Sequence, residues 1–238
     1  MADALVGGWH LFRRCLPQLF LPLWLANFVD AAPSVVGGGS VFTGAITGRG
    51  ILLTLAAWLV ESLLFGYTIA RLDAVARNTR LPASLAWRVA FRATPAVLVG
   101  DLVYNIVAWG GLLLFLVPGI IFGTTLVFFA YAAVIDRKNL IEALGYSHAL
   151  AWPAWWRTSV VISVPAIVLL IYSVISGWPA ITSVLHAVAA GELPSIGSLS
   201  HRGYDLGLMP PLGALAWSYV LCVLYVQYDA LKRQTAVH

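Results

Sequence analysis

Six stretches of the chain each hold about twenty mostly apolar residues, the length a helix needs to cross a hydrocarbon core of about 30 Å. They run approximately over residues 16–36, 51–70, 93–109, 112–135, 158–177 and 210–231. Neither 51–60 nor 112–121 alternates between apolar and polar positions, as the roughly ten-residue strands of a membrane β-barrel do. The pattern predicts an all-α polytopic membrane bundle of about six transmembrane helices, forming one integral membrane domain over residues 1–238.

Shorter amphipathic pieces flank these spans. Pro82 opens a segment in which Arg88 and Arg92 stand four apart beside Leu85 and Val89, the spacing of one helix face. A helix lying in the membrane interface and leading into the third span is expected there. Asn139, with Glu142 three residues on, reads as a capping box for a second interfacial helix through Ala143, Leu144, Ser147, His148 and Leu150. Trp152, Trp155 and Trp156 follow it, and amphipathic rings of this kind settle at the headgroup level. Leu5, Trp9, Phe12 and Arg13 suggest a third such piece before the first span, weakened by Gly7-Gly8. The sizeable connection 178–209 has Val184, Leu185 and Val188 at helical spacing, so a short separate helix over 179–190 is expected.

Composition removes the alternatives. The 238 residues are 61% hydrophobic and 10% charged, with a mean hydropathy of +0.88, whereas soluble domains carry roughly 25% charged residues. A soluble enzyme lacks the polar surface it needs here, and a chain with ten Trp, ten Phe and nine Tyr does not remain disordered in water. Cys15 and Cys222 stand in apolar runs and are read as buried thiols, not as a disulfide or metal ligands.

Charge gives direction. Arg13 and Arg14 precede the first span; Arg71, Arg77, Arg80, Arg88 and Arg92 fill the second connection; Arg137, Lys138 and Arg157 the fourth; Lys232 and Arg233 the tail. Of the 14 Lys and Arg, all but Arg49 and Arg202 fall on one side of this scheme. Basic residues near span ends are retained in the cytoplasm, so both termini are expected there. Arg13-Arg14 followed by an apolar run and Asp30-Ala31-Ala32 also resembles a signal peptide, but the charge alternation holds only if that helix is retained. Five arginines in one connection, each worth about 1 kcal/mol near an anionic leaflet, make Arg77, Arg80, Arg88 and Arg92 candidates for contacts with anionic phospholipid headgroups. The net charge of +4 follows from this topology and does not indicate nucleic acid.

Pro118-Gly119 opening an apolar span, then Glu142-Ala143-Leu144 with Ser147 and Leu150, then Trp155-Trp156-Arg157, resembles the pattern of one large group. It comprises the YciC-like inner-membrane proteins and the membrane domain attached to some glycerophosphoryl diester phosphodiesterases. Residues 225–233 are similar to the closing pattern of that family. The resemblance implies a six-helix protein of the bacterial inner membrane and lends it no catalysis. Independently of it, Pro118 removes a backbone donor, while Gly119 and Gly123 form a small-xxx-small step suited to close helix packing.

Ionisable groups at membrane depth cost about 2.5 to 3.5 kcal/mol on insertion scales, so each needs a reason. Glu61 lies about 15 Å from the outer end of its span, and Asp101 about 12 Å from the inner end of the third, at 1.5 Å per residue. Asn105 shares a face with Asp101 one turn on. No span contains Lys, Arg or His to neutralise them. Either these groups line a polar cavity that binds a proton, a cation or an amine-bearing headgroup, or each acid is protonated and bonds a neighbouring helix through Tyr104, Ser163, Tyr172 or Ser173.

No HExxH, CxxC, GxSxG or Gly-rich phosphate loop occurs, and the five His are scattered, so no catalytic residue, metal or cofactor is expected. His186, Glu192, His201 and Asp205 share the 178–209 connection without ligand-type spacing. The leading expectation is a non-enzymatic membrane protein acting through lipids, a membrane-protein partner or a second copy of itself. Its rival is a small proton- or cation-coupled transporter or channel subunit using Glu61, Asp101 and Asn105.

Overall fold

The computed structural model describes residues 2–36, 48–114, 116–189 and 209–235. All regular structure among them is helical: α1 Ala2–Val36, α2 Gly48–Ala76, α3 Ala83–Leu114, α4 Leu116–Leu126, α5 Phe129–Val134, α6 Leu140–Ala151, α7 Trp155–Ala189 and α8 Met209–Thr235, with a 3-10 turn Trp152–Ala154 joining α6 to α7. Five described stretches are long and apolar enough to cross a membrane: Ile51–Ala76, Ala83–Ala108, Val117–Val134, Leu140–Ile175 and Pro210–Thr235. They overlap the second to sixth expected spans, and the first lies within the 35 residues of α1. The chain is an integral membrane helix bundle.

The spans stand in a ring. α1 lies beside α2 and α8, α2 beside α3, α3 beside α4 and α5, α4 beside α7, and α7 beside α8. Short connections make sequence neighbours spatial neighbours, and the α8–α1 contact closes the circle. In α8 and the α4–α5 stretch, 61% and 56% of the apolar window is buried, against 17 to 28% in the other three, so these two face protein on more sides. The remaining helices turn apolar rows outward, such as Leu52, Leu55 and Leu59 of α2 and Ile167, Leu170 and Val174 of α7. Contiguous exposed apolar area on this scale suits lipid and not water.

Close approach between helices rests on small residues. A Cβ on Gly111 would come within 2.8 Å of the Gly119 Cα, so α3 and α4 cross backbone to backbone, and the expected packing role of Gly119 holds. Gly8 lies equally tightly on α8, where a Cβ would stand 2.9 Å from the Val223 Cα. The dipeptide that weakens Leu5–Arg13 as a separate amphipathic piece is thus a contact surface of one continuous α1.

The four basic segments meet at one end of the bundle. Arg14 bonds Asn78, Arg71 bonds Gln18 (2.7 Å) and the Leu81 carbonyl, Lys232 pairs with Asp136, and Lys138 lies 4.5 Å over the Tyr146 ring. This is the grouping that the charge pattern predicts.

The helix opened by Pro82 leads into the third span without a break, both being parts of α3, with Pro95 exposed inside it. Element boundaries differ from expectation in two places. The expected span 112–135 is two helices, interrupted at Val127–Phe128. The fifth span runs on past Gly177 and Pro179 to Ala189, so 179–189 is not a separate helix. Residues 190–208, with Glu192, His201, Arg202 and Asp205, and the side chains of Asp30 and Arg49 lie outside the described residues.

α6 packs on α4, α5 and α3 and touches α8. Its start has the expected capping box: the Glu142 N–H donates to Asn139 Oδ1 (3.0 Å) and the Asn139 N–H donates to Glu142 Oε2 (3.3 Å). Replacing Asn139 by Ala removes the acceptor and is expected to cost about 1 kcal/mol. Thermal unfolding of the solubilised protein checks this, and an unchanged midpoint would show the cap to be irrelevant.

Candidate functional site

α1, α2, α3, α7 and α8 each turn one face inward at helical spacing. On α2 this face is Trp58, Glu61, Ser62 and Phe65; on α3 it is Val97, Asp101, Tyr104 and Asn105; on α8 it is Trp217, Val220, Leu221 and Leu224. Offsets of three, four and seven or eight put these residues on one side of a helix. With Leu23 and Asn27 of α1, Ala130 and Tyr131 of α5 and Ile162 and Pro165 of α7, they line a cavity of about 420 Å³. Glu61, Ser62, Asp101 and Asn105 set polar groups into its otherwise apolar wall and make it a place for water or a ligand.

The polar groups converge on Asp101. Trp58 Nε1–H donates to Asp101 Oδ2 (3.1 Å), and Asn105 Nδ2 donates to Asp101 Oδ1 (3.1 Å) and to the Asp101 carbonyl (2.9 Å). Both carboxylate oxygens act as acceptors. The α2–α3 bond from Trp58 sets the depth of the two acids: Glu61 is three residues further along α2, about 4.5 Å at the helical rise. The expected approach to within one turn therefore holds, and Glu61, Asp101 and Asn105 line one cavity. The expected partners do not hold for Asp101. Trp58 and Asn105 take that role, and Ser163 points outward and bonds its own helix at the Val160 carbonyl (2.7 Å).

At the basic end the cavity is closed by aromatic rings. Tyr131 lines it, is 1% exposed, and donates its hydroxyl to the Leu221 carbonyl (2.9 Å). Tyr228 stacks at 5.6 Å and Tyr225 lies at 6.3 Å. Tyr225 donates to Asp73 (2.8 Å), which also pairs with Arg77, and Tyr228 donates to Asp136, shared with Lys232. At the other end, Asn27 and the Tyr172 hydroxyl both lie against Gly213.

The interruption between α4 and α5 faces the same space through Val127. Irregular backbone at membrane depth is tolerated where protein buries it or where it lines a cavity. Ser147 of α6 supplies the burial: its hydroxyl accepts from the Phe128 N–H (3.1 Å) and donates to the Thr125 carbonyl (2.7 Å).

The four candidate lipid contacts lie elsewhere. Arg77, Arg80, Arg88 and Arg92 are exposed near the basic end, away from the cavity, and Arg77 is partly committed to Asp73 at 2.7 Å. Trp58, Ser62, Asn27 and Tyr131 carry no charge at neutral pH and so do not stand out in an apolar span as Glu61 and Asp101 do. One signal for Trp58 is present, since it precedes Glu61 by three residues and so shares its helix face. Among the described residues no group of His, Cys, Asp or Glu is arranged to hold a metal ion. No family model, curated protein or solved structure matches the chain.

Proposed function

We propose that this protein binds a cation in its central cavity and carries it between the two sides of the membrane, as a small transporter or channel subunit. One observation carries the reading: both intramembrane acids face a single 420 Å³ cavity at the centre of the ring, instead of each being sealed into a packed seam. Acids at this depth mark ion and substrate pathways. A scaffold acting only through lipid or protein contacts has no use for such a void, and that reading gives way to this one. On the same reading the protein is not an enzyme, and the arginine-rich end faces the cytoplasm of a bacterial cell, as the positive-inside rule supports.

The test is electrical recording from proteoliposomes on a supported membrane after jumps in proton, potassium or methylammonium concentration. Wild-type protein is expected to carry current for at least one of these, and the doubly substituted Glu61→Gln, Asp101→Asn protein less than one tenth of it. Equal currents, or none from folded wild-type protein with any of the three, would overturn the reading.

A further inference from the structure

The walls of the cavity say which kind of cation it takes, granted the reading above that it takes one. Six aromatic side chains line it, Trp58, Phe65, Tyr104, Phe129, Tyr131 and Trp217, around the carboxylate of Asp101. We propose that the ligand is an organic ammonium ion, a protonated or quaternary alkylamine, held by Asp101 at its charge and by the aromatic wall around its carbon groups.

Size decides first. A bare metal cation or proton needs a small cage, while about 420 Å³ falls within the roughly 300 to 1,000 Å³ of small-molecule sites. The donor set decides next. Hard cations demand about six or more oxygen ligands, yet most of this wall is apolar or aromatic, and Asp101 is already braced by hydrogen bonds from Trp58 and Asn105. Those bonds leave the carboxylate's charge in place, and a diffuse alkylammonium charge needs only that charge nearby. Aromatic faces supply the remainder, since ring quadrupoles attract quaternary ammonium groups, most strongly when water is excluded. None of the lining residues is Lys, Arg or His, so no cation of the wall competes. The Phe65 and Trp217 rings meet edge to face at 6.2 Å and join α2 to α8 across the cavity, which fixes part of this wall before any ligand arrives.

Isothermal titration of the protein in lipid nanodiscs tests this with benzyltrimethylammonium, its neutral carbon isostere neopentylbenzene, and potassium. Wild-type protein is expected to bind the ammonium compound at least thirtyfold more tightly than the isostere, a comparison that needs no variant. Asp101→Asn should weaken it at least tenfold and Trp217→Leu about fivefold to tenfold, whereas Trp217→Phe, which keeps a ring, should stay within about threefold. Equal affinity for ammonium and isostere would reduce the cavity to an apolar hole and overturn the proposal. Potassium binding that depends on Asp101 but is indifferent to Trp217→Leu would overturn it too, while leaving the broader reading of a cation site intact. Failure of all three probes to bind would overturn it as well, and the current recordings then decide the broader reading separately.

Discussion

Gly8→Val is expected to destabilise the bundle by about 3 kcal/mol or more, at the upper end of what overpacking costs. The first atom of any side chain at Gly8 meets Val223 Cγ2 at 2.6 Å and Val223 Cα at 2.9 Å. A methyl group can rotate away, but a Cα moves only with its helix, so α1 and α8 must separate. Removing the opposing side chain in Gly8→Val, Val223→Gly relieves the first contact and leaves the second, so rescue should be partial. Cys15 and Cys222 report on this seam directly, because both are free and 0% exposed. Wild-type protein should resist a hydrophilic maleimide that labels Gly8→Val, alongside a lowered unfolding midpoint. Unchanged labelling and an unchanged midpoint would mean that the two helices have slack at this crossing.

That seam illustrates what the sequence makes legible. The α2, α3 and α8 spans follow from length and hydropathy, because lipid requires long apolar helices whatever their partners. The end at which the basic residues gather follows from charge, and the Arg14–Asn78, Arg71–Gln18 and Lys232–Asp136 contacts express it. Gly7-Gly8 misleads because a glycine pair lowers helix propensity locally, whereas its value lies in Val223 and Val226, more than two hundred residues away in the chain. Gly177 and Pro179 mislead in the same direction: α7 runs through both, since tertiary context overrides a local stop signal.

The candidate site divides along the same line. Glu61, Asp101 and Asn105 stand out because polar groups in apolar spans are expensive. Trp58 and Trp217 are invisible to that criterion, since an aromatic residue in a span costs nothing unusual. Their role appears only when the ring closes and places Trp217 of α8 opposite Phe65 of α2. Asp73 and Asp136 lie near span ends, where charge attracts no notice, and their bonds to Tyr225 and Tyr228 depend on α8 returning beside α2 and α5.

Replacing Ser147 by Ala is expected to cost about 2 to 4 kcal/mol, much more than a serine-to-alanine change elsewhere in the bundle. Its hydroxyl holds the Phe128 N–H and the Thr125 carbonyl at once, and Ser147, Thr125 and Phe128 are all 0% exposed. Alanine leaves one buried donor and one buried acceptor without this partner, at about 1 to 3 kcal/mol for each such group. Ser159 provides the contrast, because its hydroxyl merely bonds back to the Trp155 carbonyl of its own helix (2.8 Å). Ser159→Ala should change stability by no more than about 0.5 kcal/mol. Near 200 residues, 2 to 4 kcal/mol corresponds to a fall in unfolding midpoint of roughly 5 to 15 °C, well separated from the control. The interruption of α4 and α5 also sets where Val127, Phe129 and Tyr131 meet the cavity, so Ser147→Ala should weaken cation binding without touching any lining side chain. If the two serine variants melt together, water and not Ser147 satisfies the interrupted backbone. The cavity would then extend through the break toward α6.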